Sequence, residues 1–592
     1  MFIINLKWIY AIVLISLSTT ASLYSVNDED ILKAMRDEIS RSMNNLKLES
    51  LQKPYYIEYK LRLRRADRIS SNLGKTLESS STEFAAITVD LRIGDYKFDN
   101  TNFFDVGLSF FGSSDDEEGF KNRKVQYEQD YNTLRRELWL ATDAAYKQAS
   151  EIFTKKESTL KSRMRRDTTP DFIKVPPAKN YNKKEYPKFD FNYFEKLVND
   201  LSAVFRNYPD IHKSSVGVEY IPETVYYVNS EGMEYIKSEY QTGVEIAAFT
   251  QADDGMPLAD FFTSFSLNPV DLPSADSLLR SAKNVAENLT NMRKAPFLEE
   301  SYSGPVIFEG QAAAEAWAQV FMPNLVAQRN QMTEGGVQQS NRYQSFQTKI
   351  GGRVLPEFIS VAAKPALPVF VQTPLLGTYK YDDSGVESED VNLVESGYLR
   401  NLLSERIPTR RVKKSNGHSR GGGAMLSNII ISSDKEKSLN STELKSRMMK
   451  LCKDRELPYG IIVRKAANQN LVYTTLYRLA MGGFNIPRGD GAMNLTRAYR
   501  IYPDGREELI RGAEISSMSV QNFKDIINTG NNRFAYNYLA PSVISPFMSG
   551  GDQYVGVSLI TSDILFEDLE IKSPEEDFRK PPILTNPLST KK

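Results

Sequence analysis

The sequence predicts an α+β chain: an N-terminal α+β domain with an antiparallel sheet and long helices, followed by a mostly antiparallel-β C-terminal domain. Helical spacing dominates the first half, period-two alternation follows or interrupts it, and Gly-containing turn signals punctuate the second half. After Asn27, Leu32, Met35, Ile39, Met43 and Leu46 fall at helical spacing behind a run of acids, which reads as a capped amphipathic helix. Tyr55, Ile57, Tyr59, Leu61 and Leu63 then alternate with polar residues, and Ile87, Val89, Leu91 and Ile93 repeat the pattern, so two strands follow. Leu134, Leu138, Ala145, Ala149 and Phe153 predict a long helix from Tyr131 to about Lys161. The segment 167–188, rich in Pro, Lys and Tyr and without periodicity, reads as an exposed linker.

Turn signals recur beyond it at Asn229–Gly232, Asp253–Gly255, Asp382–Gly385, Glu395–Gly397 and Pro503–Gly505, where Asx and Gly favour the tight backbone of hairpins. A helix near Ser274–Met292 closes the first domain. A short apolar strand, Pro305–Phe308, and a small-residue helix, Gln311–Phe321, open the second. The expected organisation is a signal peptide at 1–21, an N-terminal domain at 26–295, a C-terminal domain at 296–575 and a tail at 576–592.

The 592 residues carry 74 Lys+Arg against 75 Asp+Glu, a net charge of −1, which gives no long-range field for phosphates and no support for nucleic-acid binding. One Cys excludes an intramolecular disulfide, and two His strain most metallohydrolase readings. The first residues, MFIINLKWIYAIVLISLSTTASLYS, show an early Lys7, an apolar stretch and small residues up to Ala21, the pattern of a cleaved export signal. Its apolar core falls short of the about 20 residues of a membrane span, so no stable span is expected. The expected location is the bacterial periplasm, with secretion as the alternative.

Four places offer chemistry. Glu309 and Glu315 flank and occupy the Ala-rich helix, but six residues turn an α-helix by about 600°, so they make no acid/base pair. The stretch RIPTRRVKKSNGHSRGGG gathers Arg406, Arg410, Arg411, Lys413, Lys414 and Arg420 around His418 and ends in three glycines. Such a loop can close over an anion through Arg pairing and converging N–H groups, a peptide carboxylate as well as a phosphate. The acidic pairs Asp253–Asp254 and Asp382–Asp383 lack the further oxygens of a calcium loop and read as turn residues. Cys452, His212 and His418 share no ligand spacing.

Three blocks resemble the TldD/PmbA family, long labelled modulators of DNA gyrase and grouped with metallopeptidases. They are GPVIFEGQAAAEAWAQVF, then LLGTYKYDDSGVESEDVNLVESGYLRNLLSERIPTRRVKKSNGHSRG, then SVISPFMSGGDQYVGVSLITSDILFEDLEI. The resemblance implies a two-part architecture assembled as dimers around an enclosed chamber suited to small or unfolded peptides. In catalytic TldD-type members it implies a HExxxH helix and a later Cys that hold the metal. Here Phe308 stands at the first His, Glu309 matches the Glu, Ala313 stands at the second His, and Ser545–Gly556 has no Cys. A catalytic zinc needs three protein ligands and an open position. The chain therefore resembles the PmbA-type branch, a pseudoenzyme with no assigned metal and no catalytic residue, Glu309 being the one candidate were an active site present.

The expected function is an exported, non-catalytic PmbA-like subunit of a peptide-binding or peptide-processing dimer, formed with a TldD-type catalytic subunit or with itself. Arg406, Arg410, Arg411, Lys413, Lys414, His418 and Arg420 are its candidate peptide contacts. Two alternatives are a metal-dependent peptidase with a non-standard zinc site and a structural envelope protein, for which 31 Tyr and 30 Phe are compatible.

Overall fold

The computed structural model describes residues 27–47, 51–104, 120, 122–161, 167–333, 343–467, 492–543, 554–574 and 578. The export signal expected at 1–21 lies outside them. Helix α1 (Asp28–Asn45) begins where Asn27 accepts the Glu29 N–H, and Asp28, Glu29 and Asp30 oppose its positive end. Two long strands follow, β1 (Pro54–Asn72) and β2 (Lys75–Ile93), with short β3 (Arg123–Val125), helix α2 (Tyr131–Lys161) and β4 (Lys179–Asn182). Helix α3 (Phe191–Ala203), strands β5 (Lys213–Asn229), β6 (Glu234–Gln251) and β7 (Pro257–Ser266), and helix α4 (Ala275–Lys294) complete the N-terminal half. The strands form one seven-stranded sheet of order β3-β2-β1-β5-β6-β4, with β7 also paired to β6.

Parity decides what each face of this sheet does. Successive residues of a strand point to opposite faces, and register partners share one. Tyr59 pairs with Val228, Leu61 with Tyr226 and Ile69 with Val218. These residues are buried with Leu134, Leu138, Ala141 and Ala145 of α2, or with Val198 and Leu201 of α3 and Leu278, Val285 and Leu289 of α4. The helices thus cover one face. The opposite face carries Arg64 against Glu223, Arg68 against Glu219, and Val225 against Lys237, and this charged face meets the second half of the chain.

The second half starts with β8 (Tyr302–Phe308) and helix α5 (Gln311–Ala316), which runs into a π-helical turn at Trp317–Phe321. Strands β9 (Ile359–Ala363), β10 (Val391–Glu395), β11 (Tyr398–Leu399), β12 (Asn428–Ser433) and β13 (Ser438–Leu439) follow, then helix α6 (Ser441–Asp454). After it come β14 (Gly460–Lys465), β15 (Arg497–Ile501), β16 (Glu507–Ile510), β17 (Ile526–Gly530), β18 (Phe534–Pro541), β19 (Tyr554–Thr561) and β20 (Ile564–Ile571). One sheet has the order β11-β10-β9-β12-β19-β18 and the other β13-β17-β20-β8-β14-β15-β16. Both are mixed, because β12 runs parallel to β19, β13 to β17 and β14 to β8. The sequence signals report hairpins and miss these pairs, whose partners lie far apart in the chain. All five predicted turns are turns, four of them joining paired strands, and Gly232, Gly255, Gly385, Gly397 and Gly505 have the positive φ they require.

Residues 167–188 are exposed over much of their length, as their composition predicts, but the segment is also pinned to its neighbours at several points. Asp171 is buried against Lys156 Nζ at 2.7 Å and Arg329 at 3.1 Å, and Lys179–Asn182 pair in parallel with β6. Phe172 lies under two guanidinium groups, Arg92 at 3.6 Å and Arg406 at 4.0 Å from its ring centre. Arg406 reaches this cluster from the C-terminal half: its Nη2 donates to Glu231 at 2.6 Å and to the Ile173 carbonyl at 2.9 Å, and its Nη1 to Tyr56 Oη at 3.3 Å.

Arg406 and Glu231 are nearly inaccessible, with side chains 1% and 5% exposed. Removing one partner of a buried pair leaves the other charged without solvation. Arg406→Ala should therefore lower unfolding stability by about 3–5 kcal/mol, read as a fall in the urea midpoint. Arg406→Lys, which keeps the charge but loses the fork and the ring stacking, should fall between the two.

Candidate functional site

Between the charged face of the N-terminal sheet and the C-terminal sheets runs a groove of about 410 Å³. Arg64, Arg68, Glu219, Glu223 and Glu239 form one wall, and Tyr379, Asp383 and Arg420 belong to the other. Leu267, Leu376 and Leu539 supply apolar surface and pack with Phe265 and Tyr554.

The acidic pair at Asp382–Asp383 builds the second wall. Asp382 is buried, and its Oδ1 accepts the N–H groups of Ser384 and Val386 at 2.9 Å, closing the turn. Its Oδ2 accepts Ser419 N–H at 3.0 Å, while Asp383 Oδ2 accepts Gly421 N–H at 2.9 Å. Both bonds fall on a small hairpin of Ser419–Arg420 and Gly423–Ala424. Its loop residues Gly421 and Gly422 have φ of +62° and +90°, as a two-residue hairpin turn of this hand demands. Asp383 also accepts from Lys237 Nζ of β6 at 2.7 Å. Burial would raise the Asp383 carboxyl, but Lys237, with Lys60 and Arg62 beyond it, holds it well below the usual carboxylate range. The Tyr235 hydroxyl donates to the Asp383 carbonyl at 2.9 Å.

This geometry sorts the basic loop. Arg406 is buried in the cluster described above rather than facing a ligand. His418 is fully buried, its Nδ1 2.9 Å from the Asn416 carbonyl, and burial pushes its imidazole down to about 4, so it is neutral near pH 7. Arg410, Arg411, Lys413 and Lys414 are exposed and line no part of the groove. Arg420 alone of the seven lines it. Its guanidinium lies 4.8 Å from the centre of the Tyr379 ring, and Nη1 donates to the Leu426 carbonyl at 2.8 Å. The glycines do not act as a flexible anion cradle, because Gly421 N–H is taken by Asp383 and the pair Gly421–Gly422 serves the turn. Asp382 and Asp383 are turn residues, as expected. The sequence does not mark the additional bond of Asp383 to the N-terminal sheet. The groove wall of Arg64, Arg68, Glu219 and Glu223 also went unmarked. Its signal is charge recurring at even spacing within strands whose alternate positions are apolar.

The junction of β8 and α5 is the second place with chemical residues. Phe308 is buried and its ring centre lies 5.6 Å from that of Phe566; Ala313 is buried with Ala312, Ala314 and Ala316. Neither offers a donor to a metal, and among the described residues no three His, Cys, Asp or Glu side chains gather into a metal site. The position expected for the Cys, within Ser545–Gly556, lies mostly outside the described residues. Glu309 accepts from Arg464 Nε at 2.8 Å, and Arg464 continues to Glu507 at 2.8 Å. Glu315 is buried further along and binds the Tyr536 hydroxyl and Gln319 Nε2. The two glutamates thus belong to separate networks, and among the described residues of this junction no donor pattern fits a catalytic zinc. Cys452 is buried on α6 and in no disulfide.

Residues 301–573 match the family described as PmbA/TldA metallopeptidase C-terminal domain. No curated protein sequence matches the chain. Among solved structures, it is similar to TldE from Thermococcus kodakarensis at 14% identity, over 91% of this chain and 100% of that one, with a TM-score of 0.54. It is likewise similar to a candidate modulator of a DNA gyrase from Thermotoga maritima MSB8 at 12% identity, over 91% and 99% of the two chains, with a TM-score of 0.55. At these identities the likeness establishes a shared fold.

Burial pushes the Glu315 carboxyl up to about 7, against the opposing hydrogen bonds of Gln319 and Tyr536. A folded-state value above the unfolded one gives stability that is present in acid and lost as pH rises through about 7. Glu315→Gln should match the wild type near pH 4, below the unfolded value, and exceed it near pH 8.5, by on the order of 3 kcal/mol. Urea midpoints of the two proteins at both pH values check this, and an equal difference at both would exclude it.

Proposed function

Because the chain belongs to the TldD/PmbA family through its C-terminal domain, residues 301–573, we propose that it is an exported, non-catalytic PmbA-like subunit of a peptide-binding or peptide-processing dimer. The observation that carries the reading is the β8–α5 junction. Phe308 and Ala313 are packed into the core, and Glu309 is held in an ion pair with Arg464. A hydrolytic metal needs imidazole, carboxylate or thiolate donors and an open position for water. At this junction carbon replaces two of those donors. The helix keeps its packing role, and the chain's contribution becomes the shape and charge of a peptide-sized groove.

Export rests on the sequence of residues 1–21. Among the described residues, no helix is long and apolar enough to cross a membrane. The partner in this reading is a TldD-type catalytic subunit or a second copy, and its ligands are small or unfolded peptides.

The test is to purify the chain from Ser22 onward in metal-replete medium, measure transition metal per chain, and assay peptide cleavage with and without a TldD-type partner. The expected outcome is no stoichiometric metal, no cleavage alone, and peptide retention or cleavage once the partner is added. About one metal per chain with chelator-sensitive cleavage by the chain alone would overturn the reading.

A further inference from the structure

We propose that the groove receives the C-terminal end of a peptide, with Arg420 pairing to the free α-carboxylate and Leu267, Leu376 and Leu539 seating an apolar last side chain. This rests on the peptide-binding reading and specifies which part of the peptide is recognised.

The charge inventory of the groove points to Arg420. On the N-terminal wall Arg64 pairs with Glu223 at 3.1 Å, and Arg68 pairs with Glu219. Glu239 lies 2.8 Å from Lys237, which also holds Asp383. Arg420 has no carboxylate within 4 Å among the described residues, and one of its five N–H groups is engaged by the Leu426 carbonyl. Lys184, the other lining cation without an ion pair among the described residues, is exposed at the rim. Asp383, the acid nearest in the chain to Arg420 on that wall, is engaged by Lys237 and by Gly421 N–H.

Arg420 is also held ready. Its neighbours Ser419 and Gly421 are tied through their N–H groups to Asp382 and Asp383, and its guanidinium lies over the Tyr379 ring. A fork fixed before the ligand arrives loses little freedom on binding and favours two parallel bonds to a carboxylate. The apolar surface then selects the group attached to that carboxylate. Leu376 and Leu539 are 4% and 2% exposed, and with Leu267 they border the same groove. An internal peptide bond is neutral and leaves the fork unpaired, and an acidic side chain brings a second polar group onto leucine. A terminal carboxylate beside an apolar side chain satisfies both surfaces.

The experiment compares a fluorescent pentapeptide ending in Leu, as free acid and as C-terminal amide, by anisotropy with the full chain from Ser22. The acid should bind about ten- to a hundredfold tighter, the range of a lost charge-assisted pair. Arg420→Met should weaken the acid by that factor and leave the amide unchanged, with thermal unfolding confirming that the variant is folded. The same peptide ending in Asp should bind more weakly than the one ending in Leu. Equal binding of acid and amide to the wild type, a comparison that needs no variant, overturns the inference while peptide binding stands. Tighter binding of the Asp-ended peptide overturns the apolar part in favour of general anion capture. Binding of neither peptide overturns both the inference and the peptide-binding reading.

Discussion

The structure turns on two adjacent carboxylates. Asp382 closes its own turn and reaches across to Ser419, while Asp383 holds Gly421 on the same hairpin and Lys237 on the N-terminal sheet. Three segments distant in sequence are thereby fixed at one point. A buried carboxylate is costly unless its lone pairs are satisfied, and here backbone N–H groups and an ammonium satisfy them. The arrangement leaves little slack: a Cβ on Gly385, in that turn, would lie 2.6 Å from Met233 Sδ of the N-terminal half.

The second constraint is the division of the N-terminal sheet into an apolar and a charged face. Helices α1 to α4 bury the apolar face and give the half its own core. The charged face then needs partners of its own, and it finds them in cross-strand pairs and in the C-terminal half through Lys237–Asp383, while Arg406–Glu231 at the β5–β6 turn and Lys465–Asp260 on the helix-covered face tie the halves elsewhere. Contacts of this kind fix orientation more than they add stability, because each ion loses much of its hydration.

Elements governed by local pattern were legible in the sequence. The helices at Tyr131–Lys161 and near Ser274–Met292 and the cap at Asn27 fall where spacing and capping chemistry place them. The β8 strand and the Ala-rich helix were equally visible, although the last turn of that helix widens to π geometry at Trp317–Phe321. Parallel pairings were not legible, since nothing local announces a partner a hundred residues away. The same limit applied to the site. Seven basic or imidazole side chains within fifteen positions read as one surface, whereas Arg406 and His418 are buried, four others point to solvent, and Arg420 alone meets the groove. Which of them remains available depends on acids elsewhere in the chain, and a single sequence does not show that geometry.

The place of β8 in its sheet bears on the order of events at the ribosome. It lies between β14 and β20, so the strand at Tyr302–Phe308 has neither neighbour until Gly460–Lys465 is made, and it keeps an open edge until Ile564–Ile571 emerges. The N-terminal sheet draws all its strands from residues before 267 and can close early. Between the synthesis of β8 and that of β14 the nascent chain is therefore a finished domain followed by an apolar strand awaiting partners. That interval is where exposed edges invite aggregation and where a chaperone would be of most use.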